Sequence, residues 1–500
     1  MRPLTRRQLL ALGAVGAGAT AAGGAGLWQT TGTRPGSGYT GVEDLTEPQV
    51  LASRDRVLEL DLTAAPARAR IGGQEANVQA FNGSLPGPTL RVRAGDTIRV
   101  TMRNGLQAPT NLHVHGLHVS PQGNSDNPFV SIDPGGSFDY EFTLPADHPP
   151  GTYWYHPHRH GHVAGQVAAG LYGAIVVEDP DPVPVTRERV LVVSDLSLDA
   201  DGNLAEVSQM QQMMGREGQI VLVNGQLRPR LRAAPGERER WRIINACPSR
   251  YLRLALDGQQ LRLLSRDLGR LPVPEDVTEV VLAPGNRVEL LVETRDGSST
   301  LTAAPVDRGS MDAMMGGAMG GDNASGGGPV DLLTLAVSGS AGTDPGPVPE
   351  GRPLRDLRNE PVTAARTLNF AMGMNANTGM NENMGSGAGM GSMMAFTING
   401  RKFDPERVDE TAAAGTVEEW TLTNSSPMDH PIHLHVWPMQ IVQDGDRDVT
   451  RPTWQDVVNV PARSQVKVRV AFDDFPGRTV FHCHILDHED QGMMATVQAR

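Results

Sequence analysis

Asn82-Gly83 … Gly95 … Asn104 is the first of three appearances of one pattern; the others are Asn224-Gly225 … Gly236 … Asn245 and Asn399-Gly400 … Gly415 … Asn424. In all three the later glycine stands nine residues before its asparagine. An Asn-Gly pair marks a two-residue hairpin turn because both residues accept positive φ, and a single pair carries little. Three with a matched downstream spacing indicate three copies of one unit. Flanking stretches such as Leu90-Arg91-Val92-Arg93, Thr97-Ile98-Arg99-Val100-Thr101-Met102 and Trp241-Arg242-Ile243-Ile244 alternate with the period of half-buried strands. The expectation is an all-β chain of three antiparallel Greek-key β-sandwich domains at 45–182, 183–345 and 360–500. Pro/Gly-rich connectors fall around Asp179–Pro184 and Gly342–Pro353.

Composition agrees with many turns and short strands: 57 Gly and 37 Pro among 500 residues, with 39% hydrophobic residues to fill the cores. The net charge is −13, from 44 Lys+Arg against 57 Asp+Glu, and there is no long basic run. A grip on nucleic acid through counterion release lacks its electrostatic footprint. Two cysteines, Cys247 and Cys483, make no disulfide framework. The N-terminus reads Thr5-Arg6-Arg7-Gln8-Leu9-Leu10, then runs through a weakly apolar Ala/Gly stretch to about Ala25. It is too short and Gly-rich for a membrane span of ~20 residues and resembles a twin-arginine export signal over residues 1–30. The expected location is periplasmic or secreted, the expected partner the twin-arginine translocation machinery, and the expected state a monomer with no stable membrane span.

Ten of the 14 histidines lie in four clusters: His113-Val114-His115, His156-Pro157-His158, His430-Pro431-Ile432-His433-Leu434-His435, and His482-Cys483-His484 with His488. They are locked to the repeat. Asn104 precedes His113 by nine residues, and Asn424 precedes His433 by nine. Gly151-Thr152-Tyr153-Trp154-Tyr155-His156-Pro157-His158 likewise matches Gly477-Arg478-Thr479-Val480-Phe481-His482-Cys483-His484. The outer domains therefore each carry two His-x-His pairs and the middle one none. On a strand, i and i+2 share a face, so eight imidazoles converge on a metal site between the first and third domains. Imidazole suits Zn, Cu, Fe or Ni. Cys483 narrows the choice, because its side chain faces away from His482 and His484 and binds a second metal across the strand. His430, His488 and Met493 complete that site as the ligand set of a blue-copper centre. The remaining His118, His148, His160 and His162 are expected as hydrogen-bonded core or surface residues, and Cys247 as a small buried hydrophobe.

These four motifs, in this order, resemble those of the three-domain multicopper oxidases, and more narrowly the bacterial laccases and copper-efflux oxidases. The likeness covers nearly all the chain after the signal. It implies cupredoxin-like domains and four copper ions: a type 1 copper on His430, Cys483, His488 and Met493, a type 2 copper on His113 and His433, and a type 3 pair on His115, His156, His158, His435, His482 and His484. It also implies that a reductant supplies single electrons to the type 1 copper and that four of them reduce O2 to two waters. Two carboxylates match the family's proton relays, Asp126 and Glu489; the alternative for each is a solvated acid or a partner that holds an imidazole.

The substrate turns on methionine. Of 20 Met, four lie in Met311–Met319, within a loop at 309–328, and seven in Met372–Met394, an insertion in the third domain. These Gly/Ser/Asn-rich segments cannot pack a core, and thioethers select Cu(I), so they are expected to gather cuprous ion, as the Met-rich insertions of copper-efflux oxidases would imply. The alternative is a low-complexity loop in which Met is tolerated. Met372, Met374, Met428 and Asp456 are the candidate substrate-copper residues. Met428 matches a family position, but the acid expected four residues before His430 is replaced by Ser426, leaving Asp429 or Asp456 to serve. Met210, Met213 and Met214 read as helix core or as a cover over the same entrance. The expected function is an exported oxidase of Cu(I), phenols and aromatic amines that contributes to copper tolerance. Its alternatives are a laccase with the Met loops as a lid, and a copper-free structural relative, which lacks ligands that this chain has.

Overall fold

The computed structural model describes residues 43–309, 328–352, 355–374 and 394–500. Residues 1–30, expected as an export signal, Met311–Met319, and Met380, Met384, Met390 and Met393 lie outside them.

Each Asn-Gly pair forms the same tight turn. Asn82, Asn224 and Asn399 have φ of 53°, 50° and 51°, followed by glycines at 72°, 74° and 74°. Bridges Phe81↔Ser84, Val223↔Gln226 and Ile398↔Arg401 close the turns. The asparagine Oδ1 accepts from the backbone N–H of a neighbouring strand in every copy: Thr63 at 2.7 Å, Val192 at 2.8 Å and Asn369 at 2.8 Å. The downstream asparagines repeat as well. Asn104, Asn245 and Asn424 accept the N–H two residues on and donate Nδ2 to the carbonyls of Ile132, Leu282 and Val460. The spacing in the sequence thus records two side-chain anchors per sandwich.

Three β-sandwiches result, each with its own apolar core. In the first, the sheet of Gln74–Phe81, Val57–Ile71, Thr97–Asn104 and Ser137–Thr143 faces a second sheet. That second sheet runs Val50–Ala52, Thr89–Val92, Gly173–Val177, Gly151–His156, His113–His115. The third pairs a six-stranded sheet with a five-stranded one ordered Glu410–Ala412, Met494–Ala499, Gly477–Cys483, His430–Leu434, Val457–Val460. The second and third share a further anchor: Trp241 and Trp420 donate their indole N–H, at 2.8 Å each, to Glu239 and Glu418, which also bind Arg189 and Arg366. Helix is scarce among the described residues: α1 (Val163–Ala169), α2 (Gln209–Met214) and α3 (Leu486–Asp490). No described helix is long and apolar enough to cross a membrane.

Two contacts hold the domains in register around the histidines. Helix α1 has no side-chain cap of its own; Asp490, at the end of α3, accepts from the backbone N–H groups of Gly161, Val163 and Ala164. The other contact is a buried charge cluster between the first and second domains. Glu289 accepts from Thr152 of the strand leading to His156 at 2.7 Å and from Arg240 at 3.0 Å, and it pairs with Arg242. Burial alone would raise its carboxyl, but Arg240 and Arg242 outweigh that and hold it at about 2 against the ordinary 4.5. The stabilisation from Glu289 is therefore complete above pH 4.5 and is lost as the pH falls towards 2. Removing the carboxylate takes the shared anion from two buried guanidinium groups, leaving Arg240 with Asp179 and Arg242 with Glu188, so Glu289→Ala should destabilise the chain by about 3 kcal/mol, the lower end for breaking a buried pair. Glu59→Ala, which removes only an exposed pair with Arg99, should stay within about 0.5 kcal/mol. Denaturant unfolding followed by tryptophan fluorescence measures both, and equal losses would contradict the assignment.

Candidate metal centre

His113 and His115 lie on a three-residue strand that pairs antiparallel with Gly151–His156, His113 opposite His156. The third domain repeats this with His430–Leu434 and Gly477–Cys483, where His433 is opposite His482 and Ile432 opposite Cys483. His158, His435 and His484 fall just past the ends of their strands, where strict alternation lapses. The two rings in each of these three pairs stay 4.8–6.1 Å apart, centroid to centroid, yet their nitrogens fall in different groups. His156 and His484 group with His115, whereas His158 and His435 group with His482, and His113 groups with His115 and His433. All eight are buried.

The ring nitrogens have opposite duties. Nδ1–H of His113 donates to Asp126 at 2.9 Å, that of His433 to the Asp456 carbonyl at 2.8 Å, that of His156 to the Pro157 carbonyl at 2.8 Å, and that of His482 to the Cys483 carbonyl at 3.0 Å. Their Nε2 lone pairs are then free to face inward. Nε2 of His113 and His433 stand 3.3 Å apart, and those of His158, His435 and His482 are separated by 3.0, 3.2 and 3.4 Å. Nitrogens each about 2.0 Å from one ion stand roughly 3.3–3.5 Å apart, so the spacing suits a shared metal. Burial foremost, then mutual repulsion among the rings, lowers every imidazole here, His156 to about 3 and His482 to about 4, so the rings are neutral ligands. Both nitrogens of His115 and His484, Nε2 of His156 and Nδ1 of His435 are buried without a hydrogen-bond partner in the protein. Bound metal is the remedy for such otherwise costly orphans.

Acids ring the cluster. Asp126 is buried; besides His113 it accepts from Val114 N–H at 3.2 Å and lies 3.7 Å from His435 Nδ1, and burial pushes it up to about 8. Glu489 lies 3.2 Å from His482 Nδ1 and 3.4 Å from His158 Nε2, with neither oxygen hydrogen-bonded. Burial raises it well above the carboxylate range. The middle domain supplies no ligand, yet it touches the cluster twice. Arg287 pairs with Asp456 and donates to the Thr152 carbonyl, and its turn places Gly285 so close to His484 that a Cβ there would meet the ring at 2.9 Å.

Across the strand, Cys483 Sγ faces the other way, 3.5 Å from His430 Nδ1 and 3.8 Å from His488 Nδ1. Cys483 N–H donates to the Met493 carbonyl at 3.0 Å, and Met493 N–H to the His488 carbonyl at 2.9 Å, which folds the buried thioether residue back onto the site. Here Nε2 is the outward nitrogen: His430 bonds Ser426 Oγ at 2.9 Å and His488 the Met213 carbonyl at 3.0 Å. Burial pushes the thiol far up, so only a cation makes a thiolate here. Two imidazoles, a thiolate and a thioether fit copper.

The other candidates are placed differently. Met372 and Met428 lie inside the third domain's core rather than at an accessible surface, and the side chain of Met374 is not among those described. Asp456 has other partners. It points to Arg287 and lies 3.6 Å from His115, on the histidine cluster. Asp429 binds Asn459 and the Ala462 N–H. His118 pairs with Asp474, His148 accepts from His118 N–H, and His160 packs on Phe403; His162 ends the chain segment before α1. None of the four joins a metal group. Cys247 is a buried free thiol of the second core. Sequence reasoning missed Arg287 and the Met213 carbonyl, for which no local pattern exists, and noticed Ser426 only as a departure.

Family models described as multicopper oxidase match residues 63–182, 188–304 and 372–500. The chain is 28% identical to "Multicopper oxidase mco" of Staphylococcus haemolyticus, over 85% of this chain and 84% of that protein. It is also 28% identical to "Cell division protein FtsP" of Dickeya dadantii, over 92% and 93%. The structure titled "Multicopper oxidase from Campylobacter jejuni: a metallo-oxidase" superposes with a TM-score of 0.79 at 28% identity, covering 92% of this chain and 96% of that one. Three matched models, the sandwiches and the copper-fitting donor sets give one conclusion: the chain belongs to the multicopper oxidase family, an oxidoreductase built of three cupredoxin-like domains.

Proposed function

We propose that the protein is an exported oxidase that couples one-electron oxidation of Cu(I), and less selectively of phenols and aromatic amines, to four-electron reduction of O2 to two waters, contributing to copper tolerance. The observation that carries this reading is His482-Cys483-His484, whose middle residue faces one donor set while its neighbours face the other. The ligand assignment is type 1 on His430, Cys483, His488 and Met493, type 2 on His113 and His433, and a type 3 pair on His115, His156, His484 and His158, His435, His482. When bound there, four coppers supply one-electron acceptance at the first site and O2 reduction at the other three.

The chain supplies the rest. The backbone from Cys483 to either flanking histidine is the short covalent route for electrons. Water formation consumes four protons inside a buried cavity, so side chains must deliver them. Asp126 accepts from His113 Nδ1–H and, with its carboxyl raised to about 8, carries a proton of its own near His435, and Glu489 holds one between His158 and His482. Two further observations support Cu(I). Residues 310–327 leave the described chain at Gly309, which pairs with Met428, and Asp429 N–H donates to the Arg308 carbonyl at 2.7 Å. Residues 375–393 leave between Met374 and Met394, partners in register, and Met372 N–H donates to Ser426 Oγ at 3.0 Å. Both Met-rich segments are therefore rooted beside His430. The Campylobacter jejuni relative, described as a metallo-oxidase, is consistent with this. The twin-arginine segment supports export.

The copper-loaded protein should show an intense band near ~600 nm and about four coppers per chain. Cys483→Ser should lose the band and the oxidase activity while keeping about three coppers; a colourless parent would instead align the chain with copper-free relatives. Asp126→Asn and Glu489→Gln should each lower kcat by about 10²-fold or more with copper content and type 1 spectrum intact, and an unchanged kcat removes the relay role from that residue. Joining Met374 to Met394 by a short Gly/Ser turn in place of 375–393 should slow Cu(I) oxidation more than phenol oxidation. Equal effects on the two substrates would sink copper handling by that segment.

A further inference from the structure

Each imidazole of the mononuclear site has one nitrogen turned outward, and the two outward nitrogens meet different surroundings. Nε2 of His430 meets Ser426 Oγ, which is itself buried and takes the Met372 N–H, with Met428 in the same apolar core. That edge is sealed. Nε2–H of His488 donates instead to the carbonyl of Met213, in α2 of the second domain. Along α2, Met210, Met213 and Met214 stand at i, i+3 and i+4 and share one helical face. Met213 belongs to the third domain's core, Met214 packs partly buried against it, and Met210 is 43% exposed. One helical turn therefore runs from solvent to the edge of a copper-ligating ring.

We infer that α2 is the port for Cu(I): Met210 and Met214 hold the cuprous ion at the surface, and the Met213 peptide passes its electron to His488. This deepens the proposed copper oxidation and rests on it.

The helix is built onto the site rather than lying near it. Ser208 and Gln211 form a reciprocal capping box at its start. Gln491 Nε2 donates to the Gln212 carbonyl at 3.0 Å, and Arg308 Nη2 to the Met214 carbonyl at 2.9 Å. Arg216 clamps Asp487, the residue before His488, with bonds of 2.6 and 3.0 Å. Between them Gly215, at φ +82°, lets the chain pass so close that a Cβ would lie 2.5 Å from Ile485 Cγ2. These contacts fix α2 against α3, and so fix the Met213 carbonyl on His488.

The chemistry suits a transient site. Thioethers select Cu(I). On giving up one electron the ion becomes Cu(II), which prefers nitrogen and oxygen donors, so the product leaves the sulfurs. The electron enters the mononuclear site through the carbonyl and the His488 ring; four such events, one O2 and four protons balance two waters and four Cu(II).

The test uses the copper-loaded full chain and the double variant Met210→Leu/Met214→Leu, whose side chains are of similar volume. Its KM for Cu(I) should rise about five-fold relative to its KM for a dimethoxyphenol, as loss of binding that is uniform in ground and transition states requires. Titrated with Ag(I), a redox-inert thiophilic ion, the oxidised holoenzyme should bind about one ion more than the variant. An unchanged KM ratio, or equal silver stoichiometry, in an enzyme that still oxidises Cu(I) overturns the port alone. A parent with no Cu(I) turnover overturns both the port and the copper-oxidation reading.

Discussion

Register between two short strands governs everything at the centre. His430–Leu434 pairs with Gly477–Cys483 so that His433 meets His482 and Ile432 meets Cys483. Because side chains alternate, a slip of one residue would turn Cys483 into the histidine cavity and His482 out of it. The first domain holds the matching register, His113 opposite His156, with no cysteine between its histidines. The repeat therefore accounts for the shared cluster, and the third domain differs by Cys483 where the first has Pro157, by His430 where the first has Thr110 and by Met493 where the first has Val167, which gives it a second donor group.

Holding eight neutral imidazoles together in the dark interior has an electrostatic consequence that the middle domain manages. Burial keeps the rings unprotonated, and no positive charge is then available to balance nearby carboxylates. Asp456, beside His115, is balanced by Arg287 of the second domain, whose backbone N–H is in turn held by Asp267. Thr152, on the strand that ends in His156, is tied to Glu289 between Arg240 and Arg242. A domain whose described residues give no histidine or cysteine to either donor group thus sets the position of strands from its neighbours.

Much of this was legible in the chain because it is local. Asn82, Asn224 and Asn399 announce turns by a conformational preference of the residue itself, and Asn104, Asn245 and Asn424 by a self-contained loop of hydrogen bonds. The His-x-His pairs and Cys483 were readable from strand alternation. What alternation leaves open is the finer grouping: pairs adjacent in sequence face one cavity and divide between donor groups within it. Contacts across domains leave no periodic trace at all. Asp456 looks like any acid before a strand, Arg287 like any arginine after a turn, and Met213 contributes a carbonyl that every residue possesses. The burial of Met372 and Met428 was equally illegible, since a methionine-rich composition says nothing about which members the core recruits.

The two donor sets use opposite ends of the same side chain, and the reason is distance from the backbone. In the cluster, His113, His156, His433 and His482 give Nδ1–H to nearby oxygens and leave Nε2, the far nitrogen, to reach into a cavity between domains. In the mononuclear site, His430 and His488 turn Nδ1, the near nitrogen, toward a cysteine sulfur that extends only one carbon from its own strand, and their Nε2 points outward. A site within one sandwich must be small, whereas a site spanning two must be reached from afar. The outward Nε2 atoms of the small site meet a sealed serine on one side and a helix of the second domain on the other, and under the proposed function that difference sets the direction from which electrons arrive.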